Sequence, residues 1–140
     1  MITIDEKSEF GERVLQRLEN EMILWLTTVS EDSVPHPRPV WFYWDGETFH
    51  IYSQPDTYKL QHIDAHPDVS LNFDSDGEGG DIVVFVGEAE VREDLPPADE
   101  DEPYVDKYED DMKDMGTPPD IFAQSYSVPI RVTPTKLRGH

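Results

Sequence analysis

The chain has 140 residues, a common size for a single domain, and 31 acidic residues against 11 basic ones give it a net charge of −20. That charge excludes a nucleic-acid partner, whose phosphate backbone needs a basic footprint, and it excludes docking on anionic membrane surfaces. There is no cysteine, hence no disulfide framework and no thiolate chemistry, and no apolar run approaches the length of a membrane span.

The acidic residues are spread along the chain. They repel one another in the compact state, and salt relieves the cost, because the Debye length falls to about 3 Å at about 1 M. Such uniform acidity is expected of a protein working in a salt-rich, halophilic cytosol. The opening MITIDEKSEF has neither a basic n-region nor an apolar h-region, which predicts no secretory signal and a cytoplasmic location.

The first element reads as a helix, with Phe10, Val14 and Leu18 at i, i+4, i+8 and Ser8 or Asp5 as its cap. Ile23–Val29 reads as a strand and Glu31-Asp32-Ser33 as a turn. Pro35, Pro37 and Pro39 remove three ladder donors, so that stretch is an edge or a loop. The aromatic run Val40–Trp44 is a strand, Asp45-Gly46 a hairpin turn, and Thr48–Tyr52 the return strand. Thr57–Ala65 is a short helix ended by Pro67. Val69–Phe73 alternates as a half-buried strand does, residues 74–81 form a Gly/Asp loop, and Ile82–Arg92 is the next strand. A Pro- and acid-rich connection over 94–102 leads to a polar helix, Pro103–Met115, with Tyr104, Tyr108 and Met112 on one stripe. A last helix follows Thr117-Pro118-Pro119, and Ser127–Pro134 is the final strand, extended by Lys136–His140. The pattern predicts one domain over residues 1–140, mainly β with added helices: about six strands joined by short turns in an antiparallel barrel.

The segment Tyr52–Lys59 is the richest in chemistry. Hydroxyls at Ser53 and Thr57, the amide of Gln54 and the cation of Lys59 fall where a strand passes into a helix, and helix N-termini attract phosphate. A lysine in the first turn opposes the helix dipole unless an anion sits there. In a simple hairpin about Asp45-Gly46, Arg38 faces Ser53, and its guanidinium suits the same anion. Two metal patterns are weaker. Asp74, Asp76, Glu78 and Asp81 lack the spacing of a calcium loop, and His62 and His66 lack the Glu of a zinc helix, so both read as solvated surface.

These segments carry a resemblance. Leu26–Val29, Pro39–Gly46, Ile51–Leu60, His66–Leu71, Tyr126–Val132 and Arg138-Gly139-His140 are similar to the pyridoxamine phosphate oxidase-like, split β-barrel flavin-binding family. Within it, the chain is most similar to a branch of deazaflavin-dependent enzymes. The resemblance implies a six-stranded split barrel that forms a homodimer, with FMN or the deazaflavin coenzyme F-420 bound between subunits. It implies an oxidoreductase passing a hydride to or from a small organic substrate. By resemblance the cofactor phosphate falls near Arg38, Ser53, Gln54, Thr57 and Lys59, and Val40, Trp41 and Phe42 run along the ring. The oxidase proper has Arg-Lys where this chain has Tyr58-Lys59, so one phosphate-facing cation is missing and a true pyridoxamine phosphate oxidase is not expected. No catalytic residue is assigned; Tyr43, Tyr52 and Tyr58 are the candidate proton donors. The alternative is a non-catalytic flavin- or haem-binding protein of the same fold, with His36 or His50 as the axial ligand.

If the acidity is a salt adaptation, the thermal midpoint should climb steeply between about 0.1 M and about 2 M KCl, where screening collapses the repulsion. A flat response, read by circular dichroism, would remove the halophile reading.

Overall fold

A computed structural model describes residues 2–140. The first helix, α1 (Glu9–Asn20), is capped by Ser8, whose Oγ accepts the Gly11 N–H at 2.9 Å. Glu9 and Glu12 in the first turn and Arg17 in the last complement its dipole, and Val14 and Leu18 are buried. Next come β1 (Leu24–Val29), β2 (Pro35–Val40), β3 (Tyr43–Trp44), β4 (Phe49–Ser53), α2 (Tyr58–Ala65), β5 (Asp68–Asn72) and β6 (Val83–Val91). A short 3-10 turn (Ala98–Glu100) precedes α3 (Glu102–Asp114), α4 (Pro119–Ser125) and β7 (Val128–Gly139).

All strands join one antiparallel sheet in the order β2-β1-β5-β6-β7-β4-β3. The sheet has seven strands where six were expected, because the aromatic run does not form one strand. The proline-alternating segment is itself β2, and it sits at the sheet edge, where missing N–H donors cost nothing. The ladder then breaks at Trp41-Phe42 and resumes as the two-residue β3, which returns through the Asp45-Gly46 turn, with Gly46 at φ +102°.

The break has a consequence for the site. Arg38 pairs in register with Leu26 on β1, and Ser53 pairs with Val128 on β7. The expected hairpin facing of Arg38 and Ser53 is therefore wrong. Arg38 comes near Lys59 instead, because the sheet curls into a half-barrel. Phe42 shows the curl: its ring lies 5.9 Å from Phe49 on β4 and 5.8 Å from Phe73 at the end of β5, strands separated in the sheet by β6 and β7. The concave face carries the main core, including Leu24, Leu26, Ile51, Leu71, Phe85 and Ile130. At the bulge between Val86 and Gly87 a Cβ on Gly87 would lie 2.6 Å from the Thr133 carbonyl oxygen, so the close approach of β6 to β7 requires glycine.

A second core forms where α3 and α4 cover the lip of the sheet. It holds Tyr52, Tyr104, Tyr108, Met112 and Phe122, so the sequence stripe on α3 is the buried face. Tyr108 joins this cover to the break in the sheet. Its hydroxyl accepts the Phe42 N–H at 2.8 Å and lies 2.8 Å from the Met22 carbonyl and 3.0 Å from the Phe42 carbonyl. Lys107 donates to the same Phe42 carbonyl at 2.9 Å and lies 3.5 Å from the centroid of the Phe42 ring. Among the described residues, no helix is long and apolar enough to cross a membrane.

Tyr108→Phe leaves the buried Phe42 N–H without its acceptor at little change in volume. Urea unfolding should show a loss of about 1–3 kcal/mol, the range for an orphaned buried polar group; a loss below about 0.5 kcal/mol would mean the hydroxyl does not hold the break.

Candidate functional site

The site begins at the corner between β4 and α2. Ser53, 1% exposed, ends β4, and its hydroxyl is a hub. It donates to the Gln54 carbonyl at 2.9 Å, meets the Thr57 hydroxyl at 2.9 Å and accepts from Lys59 Nζ at 3.1 Å. Thr57 stands at the N-cap of α2, yet its side chain makes no capping bond, and no acidic residue occupies the first turn. The first amides of α2 are thus left uncapped on the side where Lys59 folds back.

Arg38 reaches this corner from β2. It lines one cavity of about 660 Å³ together with Gln54, Thr57, Tyr58, Lys59, His36 and His62. Burial, and then the nearby Arg38 charge, push the Lys59 ammonium below its ordinary value. Among the described residues neither Arg38 nor Lys59 forms an ion pair. Arg13, Arg17, Arg92 and Arg131 all do.

Pro39, Lys59 and Tyr126 also line a second, aromatic cavity of about 350 Å³, so the two meet there as one groove. This end is walled by Val40, Trp41, Tyr52, Tyr104, Phe122 and Tyr126, with Ile23 and Met115 exposed at its rim. The Trp41 ring stacks on Tyr108 at 4.4 Å and on Phe122 at 5.3 Å, and Tyr126 stacks on Phe122 at 4.5 Å. A flat aromatic ligand with an anionic tail matches both ends: planar surfaces at one, cations and hydroxyls at the other.

Behind the aromatic wall lies a polar network. Asp101 Oδ2 accepts from the Tyr52 hydroxyl at 2.7 Å, lies 2.8 Å from His50 Nδ1 and is 4.0 Å from Arg131. His50 Nε2 lies 2.7 Å from Asp45. Burial raises the Asp101 carboxyl, but the hydrogen bonds from His50 and Tyr52 and the charges of His50 and Arg131 outweigh it and hold it below its ordinary value. Burial acts the same way on Asp45, where hydrogen bonds from the Thr48 and Glu47 amides, His50 and the Thr48 hydroxyl bring the carboxyl down to about 2.

The structure brings Arg38, Val40, Trp41, Gln54, Thr57 and Lys59 to the groove, with Ser53 directly behind Lys59. It does not bring Phe42 there. That ring is fully buried in the main core, and its N–H and carbonyl are taken by Tyr108 and Lys107, so it has no backbone group to offer a ring edge. Of the tyrosines, Tyr52 lines the aromatic end, Tyr58 is 75% exposed at the polar end, and Tyr43 packs against the second core. His50 has a carboxylate on each ring nitrogen, which leaves no free nitrogen for an axial metal bond.

Sequence reasoning missed His36 and His62 as groove residues. A signal was present: His36 and Arg38 are two apart on a strand, and Lys59 and His62 are three apart on a helix, so each pair shares a face. Tyr104 and Tyr126 were also missed, because the packing of α3 and α4 alone brings them to the groove.

The curled seven-stranded half-barrel with helices over its lip defines the class of fold. Residues 10–140 match the family model for pyridoxamine 5'-phosphate oxidase, and the chain belongs to that family. General stress protein 26 of Bacillus subtilis is 28% identical over 88 residues, which cover 61% of this chain and 62% of that protein, less than two thirds of its length. Among solved structures, an F-420 reductase is 24% identical with a TM-score of 0.65, covering 88% of this chain and 94% of the other. The haem storage protein HutZ of Vibrio cholerae is 14% identical with a TM-score of 0.65, covering 94% of this chain and 95% of the other. At these identities the two structures show the fold.

The Asp45 carboxyl sits lower folded than unfolded, so its contribution is fully present above the unfolded carboxylate range near pH 4 and is lost as pH falls toward about 2. Relief of the overall negative charge acts in the opposite direction, so the comparison must be with a variant. Asp45→Asn should lower stability at neutral pH and flatten its acid-side decline in urea titrations; parallel curves would refute the pairing.

Proposed function

We propose that this chain is an oxidoreductase that binds FMN or the deazaflavin coenzyme F-420 in the groove and transfers a hydride to or from a small organic substrate. The observation that carries this reading is the Arg38–Lys59 pair. In a chain with 31 carboxylates these two cations line one cavity without an ion-pair partner among the described residues, and they disfavour one another. A bound phosphate turns that mutual cost into a shared contact.

The donor set fits such a group. The hydroxyl of Thr57, the amide of Gln54 and the uncapped start of α2 suit phosphate oxygens, while the apolar end walled by Val40, Trp41 and Tyr126 suits a ring. The cofactor supplies the two-electron chemistry when bound. The protein holds its tail on Arg38 and Lys59, lays its ring along the aromatic wall and excludes water from one side. A fold shared with an F-420 reductase supports the deazaflavin alternative. His50 is engaged on both nitrogens, which leaves His36, in the groove lining, as the axial candidate of the haem alternative.

The working unit in this reading is a homodimer in the cytoplasm. The convex face of β1, β5 and β6 presents half-buried Trp25, Val84 and Val86 interleaved with Thr27, Ser70 and Asn72, a mixed face that a second copy would cover in this reading. The aromatic end of the groove is open at Ile23 and Met115, and a partner subunit would cover the ring there.

Fluorescence titration of the protein with FMN and with coenzyme F-420, in molar KCl, tests the reading. Micromolar binding of either supports it, and binding of neither overturns it. Lys59→Ala should weaken the affinity by about 1.5–3 kcal/mol, the range for a hydrogen bond to a charged group. An unchanged affinity would show that the phosphate sits elsewhere.

A further inference from the structure

The phosphate reading leaves two side chains of the groove idle. His36 on β2 and His62 on α2 bring their rings to a centroid distance of 4.7 Å, and both line the cavity that holds Arg38, Thr57 and Lys59. His36 sits opposite Thr28 in the β1–β2 register, as Arg38 sits opposite Leu26, so both project to the concave side that carries the groove. His62 Nδ1 meets the hydroxyl of Thr28, a residue 2% exposed, at 2.9 Å. That bond anchors the ring. The other nitrogen of His62 and both nitrogens of His36 have no hydrogen-bond partner among the described residues, and no carboxylate lies within ion-pair distance of either ring.

The groups facing this pair come from each neighbouring element. β2 contributes Arg38, the β4–α2 turn contributes Asp56, α2 contributes Lys59, and His66 follows at its C-cap; Glu31 and Asp32 of the β1–β2 turn line an adjacent cavity that shares His62. Asp32 is occupied by the Ser30 hydroxyl, and its charge favours a protonated His62. Burial and the charge of His36 outweigh it, so His62 gives up its proton more readily than an ordinary histidine. An anion among these groups reverses the balance, because an opposite charge within about 4–6 Å favours the charged form.

We propose that His36 and His62 are the proton-loaded half of the anion site, so that a phosphate entering beside Arg38 and Lys59 is bound together with a proton taken up on this imidazole pair. The step is a binding equilibrium: one solvent proton moves onto an imidazole nitrogen as the anion enters, and no bond to the ligand is made or broken. The inference rests on the reading of the groove as a phosphate site and extends it to the partners of the phosphate and to the pH at which it binds.

Calorimetric titration of the whole chain with FMN and with coenzyme F-420 tests it. Runs at about pH 7.5 in two buffers of different ionisation enthalpy read the protons exchanged directly. Protons exchanged by the ligand's own groups are common to wild type and variant, so the uptake that belongs to the imidazole pair is the difference between them. The expected result is uptake of about half a proton to one proton, with Kd falling up to about tenfold per pH unit as pH is lowered toward about 6. In His36→Gln with His62→Gln the uptake should vanish and the pH profile of F-420 binding should flatten. His36→Gln alone leaves the Thr28–His62 bond in place and should lose part of the uptake while keeping the wild-type thermal midpoint. Binding without proton uptake, or uptake unchanged in the double variant, overturns this inference and leaves the phosphate site standing. Binding of neither ligand at any pH overturns both.

Discussion

The structure depends on one constraint: the chain must leave the sheet between β2 and β3 without stranding its backbone polar groups. Phe42 goes inward and ties together strands that a flat sheet would hold far apart. Trp41 goes to the groove. The peptide groups between them are met by the Tyr108 hydroxyl and the Lys107 ammonium, both from α3. An unsatisfied buried N–H or C=O costs as much as many core contacts return, so the curl, the helical cover and the aromatic slot stand or fall together. The acidic helix that reads as a solvated appendage is in this sense part of the barrel.

Charge is distributed by a related logic. On α1, Arg17 bridges Glu21 and Asp81 and lies 4.8 Å from the centroid of the Phe73 ring. Arg38 and Lys59 belong to the cations that form no ion pair among the described residues, and what sets them apart is that they line one cavity together. Their neighbours are prolines, hydroxyls, an amide and two imidazoles, and Asp56, the one carboxylate lining the same cavity, stays beyond ion-pair distance. In so negative a molecule, long-range attraction of an anion is opposed by the net charge and screened by salt, so only local contact with these two cations could hold one.

Much of this was legible in the residues. The helix period gave α1 and the buried face of α3, the alternation over 69–73 gave β5, and the prolines marked β2 as an edge. The Ser53–Lys59 corner could be read locally because its members lie within seven residues on a strand-to-helix turn. The hairpin facing of Arg38 and Ser53 failed because tryptophan and phenylalanine are strand formers, and nothing local tells Trp41-Phe42 that the ladder stops there. The reason lies 66 residues away in Tyr108. The imidazole pair was hidden in the same way: each histidine shares a face with a cation, His36 before Arg38 and His62 after Lys59, but only the tertiary fold brings the two faces together.

The groove is walled by two kinds of structure. Its polar end rests on β2, β4 and the start of α2, which belong to the sheet framework, whereas much of its aromatic end comes from the added segment carrying α3, α4 and Tyr126. The two ends are therefore separable units: changes confined to residues 98–126 can reshape the aromatic end while the polar end stays in place, so one sheet frame can carry differently shaped grooves.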